Sequence, residues 1–488
     1  MAGIVAARWW IPDFPFVFVF TASVLLALAC RRWPVAQSVV IGICFIVFGM
    51  TLAQWQHEEP LEGQTVEAVV MSEPAERPKT VGIDLLVPET GQTLRCYFWK
   101  RQQTYTVSNY SLQNLGLQLG DAVVVQLPDR QGSKGDSHRP SMYFVKKWQP
   151  GGNALHRMSK LQRTRLFFLR LRHRLLARYQ ALNADEEVYG VLAAMTLGDK
   201  SALTPDIRDA YNTSGVSHVL ALSGLHVGMI YMLLTLLTLQ RPRFWLSQVL
   251  IVSAIWAFAF LTGLSPSVTR SAVMISLYAI FAARNQGRTS LNVLAFTAIV
   301  MLVADVQTLF ELGFQLSFLS VFSILLFVPL FDSLYDPRQL GNSKAWKLHP
   351  LKAPHSKAWK LHPLLRGLWG MFAVSLAAQI GVAPLIAYYF GRLSTWFLLA
   401  NFIVIPAATV IVYGALLTLL FPPVGQLLVW VVRFLNQALG AIAALPYSSI
   451  EGLHPTILQV VLIYVLIALF YLFARRLFPI IRPTYASI

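Results

Sequence analysis

Residues 395–445 read TWFLLANFIVIPAATVIVYGALLTLLFPPVGQLLVWVVRFLNQALGAIAAL, two long apolar runs separated by the short segment 422–424. Arg433 is the one charged residue in the whole stretch. A helix that crosses a bilayer needs about 20 consecutive apolar residues. The stretch therefore predicts two spanning helices, at 395–421 and 425–445. The second run also carries Asn436 and Gln437, and polar residues at such positions are costly unless they face a cavity or a partner.

The same pattern recurs along the chain. Its composition, 56% hydrophobic and 13% charged residues, departs from that of soluble domains, in which about 25% of residues are charged. Further runs that predict spanning helices lie at 11–30, 35–54, 216–239, 244–262, 267–283, 290–304, 310–330, 367–390 and 456–474. The sequence predicts a polytopic α-helical membrane protein with about eleven transmembrane helices.

Positive charge between these runs predicts their orientation. Fourteen Lys and Arg lie in the segments 240–243, 284–288, 331–366 and 422–424 and in the C-terminal tail, whereas 263–266, 305–309, 391–394 and 446–455 carry only Arg392. Cytoplasmic loops are enriched in Lys and Arg, so the first set is predicted inside. Arg31 and Arg32 place the first short loop inside too, and both arguments put residues 55–215 outside. We expect a bacterial inner-membrane protein with its N-terminus outside and its C-terminus in the cytoplasm.

Residues 60–150 contain about five short runs in which apolar and polar residues alternate, separated by Pro, Gly, Asn and Ser. This spacing is typical of small barrels, so we expect residues 55–155 to form an extracytoplasmic OB-like β domain. Between 61 and 155, ten Lys and Arg nearly balance nine Asp and Glu. Lys100 and Arg101 follow aromatic residues and would suit a single nucleic-acid strand, but a purely structural domain fits the pattern equally well.

A basic amphipathic helix is predicted at 156–182, where Lys and Arg are interspersed with Leu and Phe and no acidic residue occurs. Such a helix lies in a lipid headgroup layer or contacts phosphates by charge, and we favour the membrane surface. The candidate DNA or membrane contacts are Arg163, Arg165, Arg170, Arg172 and Arg174.

Polar residues inside the apolar half are the candidate functional residues, because burying them in a membrane is costly. The densest group precedes and opens the run at 216–239: Asp199 and Lys200, followed by Ser223, Gly224 and His226. Arg270, Gln315 and Asn401 lie inside later runs. Each has a structural alternative: Arg270 could lock helices together, His226 could be a packing residue, and Gln315 and Asn401 could bond neighbouring helices.

Four segments, SGVSHVLALSGLHVGM, SPSVTRSAVM, LGFQLSFLS and NFIVIP, occur in this order and resemble the competence domain of the ComEC DNA-uptake family. The preceding region resembles that family's N-terminal domain, two helices followed by an OB-like fold. The implied organisation is two transmembrane helices at 1–54, a channel domain at 183–476 and a cytoplasmic tail at 477–488. The implied pore residues are Ser223, Gly224, His226, Arg270, Gln315 and Asn401, to which we add Asp199 and Lys200.

The resemblance implies a channel that imports single-stranded DNA during natural transformation. It implies as partners the lipid bilayer, a periplasmic DNA receptor and a cytosolic ATP-driven translocase. The sequence contains no HxHxDH cluster and no phosphate-binding loop, so we expect neither an enzyme nor a metal or cofactor site, and a separate nuclease would degrade the other strand. The alternative function is a permease for small solutes or ions, and the oligomeric state stays open.

Overall fold

The structure is a computed structural model of the 488-residue chain. It describes all residues except 8–15, 30–33, 57–60, 62, 74, 77–79, 100–116, 129–141, 146–147, 153, 183, 239–244, 284–289, 336–357, 422 and 478–488. Contacts divide the chain into two units. The first comprises Met1–Leu166 and Phe296–Phe314, and the second comprises Phe167–Ala295 and Gln315–Ile488.

The first unit begins with helices and continues as a β domain. Its helices are α1 (Ala2–Ala7), α2 (Phe16–Ala29), α3 (Pro34–Trp55) and α4 (Ala154–Arg157). Its strands are β1 (Thr65–Val70), β2 (Ala75–Glu76), β3 (Thr80–Leu86), β4 (Thr93–Trp99), β5 (Ala122–Gln126), β6 (Met142–Val145) and β7 (Trp148–Pro150). Helix α1 was not predicted, and α3 matches the predicted run 35–54 closely.

The seven strands form one sheet with the order β6-β4-β3-β1-β5-β7, and β2 pairs with β3. The β4–β6 pair is parallel and the other pairs are antiparallel. Strands β6 and β7 lie at opposite ends of this order although two residues separate them in sequence, so the sheet must curl until its edges approach. The prediction of about five strands missed β2 and merged β6 with β7. Burial in the sheet's core raises the pKa of the Cys96 thiol to about 12.

The second unit is helical. Its elements are α5 (Lys160–Gln180, whose first residues belong to the first unit), α6 (Glu186–Leu197), α7 (Pro205–Thr213), α8 (Ser217–Leu220), α9 (Gly224–Leu237), α10 (Trp245–Leu261), α11 (Pro266–Ala283), α12 (Ser290–Ala304, shared with the first unit), α13 (Leu312–Tyr335), α14 (Ala358–Phe390), α15 (Phe397–Leu420), α16 (Val424–Ala443) and α17 (Ile457–Leu477). Strands β8 (Arg392–Ser394) and β9 (Ser449–Glu451) pair, which places the segments 391–394 and 446–455 together.

Six helices in the described part of the chain are long and apolar enough to cross a membrane: Val35–Trp55, Leu312–Asp332, Leu365–Phe390, Phe397–Thr418, Val424–Ala443 and Ile457–Leu477. Shorter apolar helices lie at Phe16–Leu26, Gly224–Leu237, Trp245–Leu261 and Ser290–Ala304. The protein is therefore a polytopic helical membrane protein.

Two predicted helices are interrupted. The run 216–239 forms α8 and α9 instead of one helix, because Ala221 and Ser223 adopt extended conformations, with ψ of 131° and 172°. The basic segment 156–182 forms α4 and α5, because Ser159 begins a new helix: its backbone N–H donates to Gln162 Oε1 at 2.8 Å and Gln162 N–H donates to Ser159 Oγ at 3.3 Å. This reciprocal bonding satisfies donors that a helix start would otherwise leave free.

The segment 182–215 packs along the apolar helices instead of extending away from them. A Cβ on Gly425 would lie 2.5 Å from Leu182 Cδ2, and one on Gly215 would lie 2.6 Å from Ser394 Cβ, at the other end of α15 and α16. Most of α6 is buried in the core that α15 and α16 share. The predicted location of residues 55–215 outside the membrane stays a prediction, and the structure adds that 182–215 packs against helices long enough to span one.

Candidate functional site

The interruption between α8 and α9 brings Ser223 and His226 together. The Ser223 backbone N–H donates to His226 Nδ1 at 3.2 Å, and Ser223 Oγ lies 3.1 Å from the same nitrogen. Since Nδ1 accepts a hydrogen bond, the neutral ring carries its proton on Nε2. The His226 side chain is fully buried, and Nε2 has no hydrogen-bond partner in the part of the chain the structure describes. The ring thus serves as the cap of α9 and leaves one buried donor.

The start of α9 packs closely against α11. A Cβ on Gly224 would lie 2.9 Å from Ser271 Oγ, so the absence of a side chain allows the two helices to approach. Leu222 and Val227 share a buried cluster with Val268 and Ala272 on the same face of α11. The polar groups at this junction therefore lie among packed apolar side chains.

Arg270 lies on another side of α11. A helix turns about 100° per residue, so Arg270 starts roughly 150° away from the face that Val268, Ser271 and Ala272 present to α9. Its side chain is nonetheless 3% exposed. The structure therefore brings Ser223, Gly224 and His226 together and places Arg270 in a different packed region.

Asp199 and Lys200 have separate environments. Asp199 Oδ1 accepts from the Ser201 N–H at 3.0 Å and lies 3.7 Å from Arg172 Nη2, with both side chains largely buried. The preceding Gly198 has φ of +75°, and a Cβ there would meet Leu222 Cδ1 at 2.7 Å, so the Asp199 turn adjoins the helix interruption. Lys200 is exposed, and its carbonyl accepts from Arg208 Nη2 at 2.9 Å.

Gln315 and Asn401 lie apart from the Ser223–His226 pair, on other helices. Gln315 Oε1 accepts from the Tyr389 hydroxyl at 3.2 Å, which links α13 to α14. Asn401 lies near the start of α15, and its buried Oδ1 has no hydrogen-bond partner among the described residues. Gln315 thus behaves as a link between helices, one of the alternatives the sequence left open.

Pattern reasoning missed two further polar contacts in the helical unit. The Tyr211 hydroxyl donates to Asn436 Oδ1 at 2.9 Å, and Arg433 donates to Asp185 Oδ2 at 2.6 Å and 3.2 Å. Asn436 and Arg433 were noted as polar residues of α16, but their partners lie more than 200 residues earlier. No signal in a single sequence connects such positions.

The arginines of the basic helix α5 differ in their burial and in their partners. Arg163 Nη2 donates to the His156 carbonyl at 3.0 Å, and burial lowers the pKa of Arg165. Arg172 turns inward to Asp199, whereas Arg170 and Arg174 are exposed. Lys100 and Arg101 lie outside the described residues. The described residues contain no group of three His, Cys, Asp or Glu that could hold a metal ion.

Comparison with known proteins identifies the helical unit. A family model described as Competence protein matches residues 195–477. The chain belongs to this family. The match begins near the end of α6 and ends with α17, so it includes Asp199, the α8–α9 interruption, Arg270, Gln315 and Asn401.

Three curated relatives match parts of the chain. It is 27% identical over 279 residues to ComE operon protein 3 of Bacillus subtilis (strain 168), covering 54% of this chain and 32% of the relative. It is 29% identical over 121 residues to Competence protein ComA of Neisseria gonorrhoeae, covering 22% and 17%. An uncharacterized protein of Aquifex aeolicus (strain VF5) is 30% identical over 163 residues, covering 33% and 39%. The chain thus spans less than two fifths of the length of each relative. No solved structure matches.

Proposed function

We propose that this protein is an inner-membrane channel that imports single-stranded DNA during natural transformation. The observation that carries the proposal is that the segment matching the competence family also holds buried polar groups between apolar helices, above all His226, which bonds the half-buried Ser223 at the α8–α9 interruption. A strand of phosphates cannot enter hydrocarbon and needs a polar route through the protein. Interrupted helices supply polar backbone and side chains at membrane depth.

In this proposal the route passes Ser223, Gly224 and His226, with Asp199 and Lys200 near its entrance. The sequence also predicts Arg270, Gln315 and Asn401 as route residues, but Arg270 lies in a different packed region and Gln315 links two helices. The residues that line the route replace water around the strand, and no bond is made or broken. The chain acts without enzyme activity, metal or cofactor. Driving force comes from a cytosolic ATP-driven translocase, DNA arrives through a periplasmic receptor, and a separate nuclease degrades the other strand.

The proposed topology has about eleven transmembrane helices, as the apolar runs of the sequence predict, with the N-terminus outside and the C-terminus in the cytoplasm. Residues 55–155 form an OB-like domain on the outer side. The curled sheet supports this assignment, because β2 is only two residues long and β6 and β7 are nearly continuous in sequence. The remaining runs correspond to the five strands of a partly open OB barrel.

Deleting the gene tests the function. We expect the deletion strain to take DNA into the periplasm but to deliver none to the cytosol, measured with labelled transforming DNA in fractionated cells. Complementation by the intact gene should restore transformants. A deletion strain that transforms at the parental frequency would contradict the proposal.

A further inference from the structure

Helix α5 has one buried side and one basic side. Leu169, Leu176 and Tyr179 are buried, the last two in the core of the helical unit. Arg170, Arg174 and Arg178 are exposed. They follow one another at intervals of four residues, so they lie on one side of the helix and extend about 12 Å along its axis. We call these three residues the arginine ladder.

The ladder carries uncompensated positive charge. In the described part of the chain, the one salt bridge made by an α5 arginine joins Arg172 to Asp199, on the inward side. The ladder arginines make no ion pair with a described acidic residue. The helix therefore separates a structural arginine, Arg172, from three arginines whose guanidinium donors face outward.

Contacts at the middle of α5 and just beyond its end indicate its direction. At its middle, a Cβ on Gly263 would lie 3.5 Å from Leu169 Cδ2 and from Arg172 Nη1. Just beyond its end, Leu182 reaches Gly425 and the first turn of α16. The charge pattern predicts that 263–266 and 422–424 lie on opposite sides of the membrane. The thirteen residues from Leu169 to Leu182 cover about 20 Å, a large part of a hydrocarbon core of about 30 Å.

This direction limits what can face the ladder. Arginines in contact with hydrocarbon are costly and are normally turned to a cavity filled with water. The headgroup layer on each side is only about 6 Å deep, so the headgroups of one layer cannot meet all three arginines, which extend about 12 Å through the membrane. A wet groove beside α5 satisfies all three.

We infer that the arginine ladder contacts successive phosphates of the incoming DNA strand and forms one wall of its route. The inference rests on the proposed function and adds to it a binding surface upstream of the segment that matches the family. The charges complement the strand, and a row of cations that tracks a phosphate backbone is how proteins hold single strands without reading sequence.

The test uses the full chain in nanodiscs of phosphatidylcholine alone, with a fluorescein-labelled oligothymidylate as the probe. The variant R170Q/R174Q/R178Q should bind more weakly than the wild type. Each lost phosphate contact lowers the slope of log affinity against log salt by about 0.7, so the slope should fall by about 2. The variant R170K/R174K/R178K keeps the charges and should keep most of the slope. The matched control R475Q/R476Q, at the end of α17, should bind as the wild type does.

Two outcomes would contradict the inference that the arginine ladder contacts DNA. One is an unchanged salt slope in the Gln variant. The other is a Gln variant that binds the probe normally but loses thermal stability in nanodiscs containing phosphatidylglycerol, which would assign the ladder to lipid headgroups. Neither result affects the proposed function, which fails separately if the deletion strain transforms normally.

Discussion

Helices α16 and α17 look alike in sequence and differ in their surroundings. Both are long and apolar enough to span a membrane. From Val461 to Phe473, every exposed side chain of α17 is apolar, as expected of a helix that faces lipid. The exposed side of α16 also carries apolar residues, but Gln426, Arg433 and Gln437 form a polar stripe beside them, at intervals of seven and four residues.

The two helices also differ in how many residues they bury. Helix α17 buries Val460 and Ala474, whereas α16 buries seven residues against its neighbours. Hydropathy counts both helices as spans but does not distinguish a lipid-facing helix from one packed between protein and a wet space. From this comparison we expect water to reach the polar stripe of α16, as the arginine ladder requires of α5.

The largest effect should come from truncating the packed side of α16. Leu435 is completely buried, so Leu435→Ala leaves a cavity and should destabilise the protein by about 2 to 5 kcal/mol. The matched control is Leu466→Ala on the exposed side of α17, which should change stability by no more than about 0.5 kcal/mol. Thermal unfolding of the purified protein in nanodiscs measures both. Equal losses would mean that α17 is packed like α16.

A smaller effect tests the close approach of Leu182 to α16. Gly425→Ala places a methyl group 2.5 Å from Leu182 Cδ2, and the overpacking cost of about 1 to 3 kcal/mol should exceed the gain of about 0.5 to 1 kcal/mol from replacing a helical glycine. Gly440 lies on the same helix with nothing within 4 Å of an added Cβ, so Gly440→Ala should stabilise the helix by about 0.5 to 1 kcal/mol. The same unfolding assay should give opposite signs. Destabilisation by both substitutions would remove the contact on which the direction of α5 depends.

The sequence predicts the apolar helices well because their length and composition are local properties. The runs 35–54, 244–262 and 456–474 differ by no more than three residues at either end from Pro34–Trp55, Trp245–Leu261 and Ile457–Leu477. A long apolar run in a membrane must form a helix to satisfy its own backbone hydrogen bonds, whichever neighbours the helix packs against. Family membership was also predicted correctly, since long motifs in a fixed order are specific.

The interruption at 221–223 is invisible to the same reasoning. Ala221 and Leu222 are as apolar as their neighbours, and the feature that ends the helix is the extended conformation of Ser223, which His226 caps in place of the usual Glu or Gln. The placement of the segment after α5 was missed for a different reason. Asp185 contacts Arg433, which lies 248 residues away, and no signal in a single sequence connects the two positions.

The smallest expected effect is the coupling between Asp185 and Arg433, which tests whether water reaches the polar side of α16. Asp185 and Arg433 are paired at 2.6 Å with side chains 65% and 48% exposed. If water reaches them, a double-mutant cycle with Asp185→Asn and Arg433→Gln should give a coupling of about 0.2 to 1 kcal/mol. Salt should weaken that coupling further, because exposed charges are screened. Unfolding of the four proteins at low and high salt measures it. A coupling of several kcal/mol that salt leaves unchanged would mean that the pair is shielded from water, and the polar side of α16 would then be a packed interface.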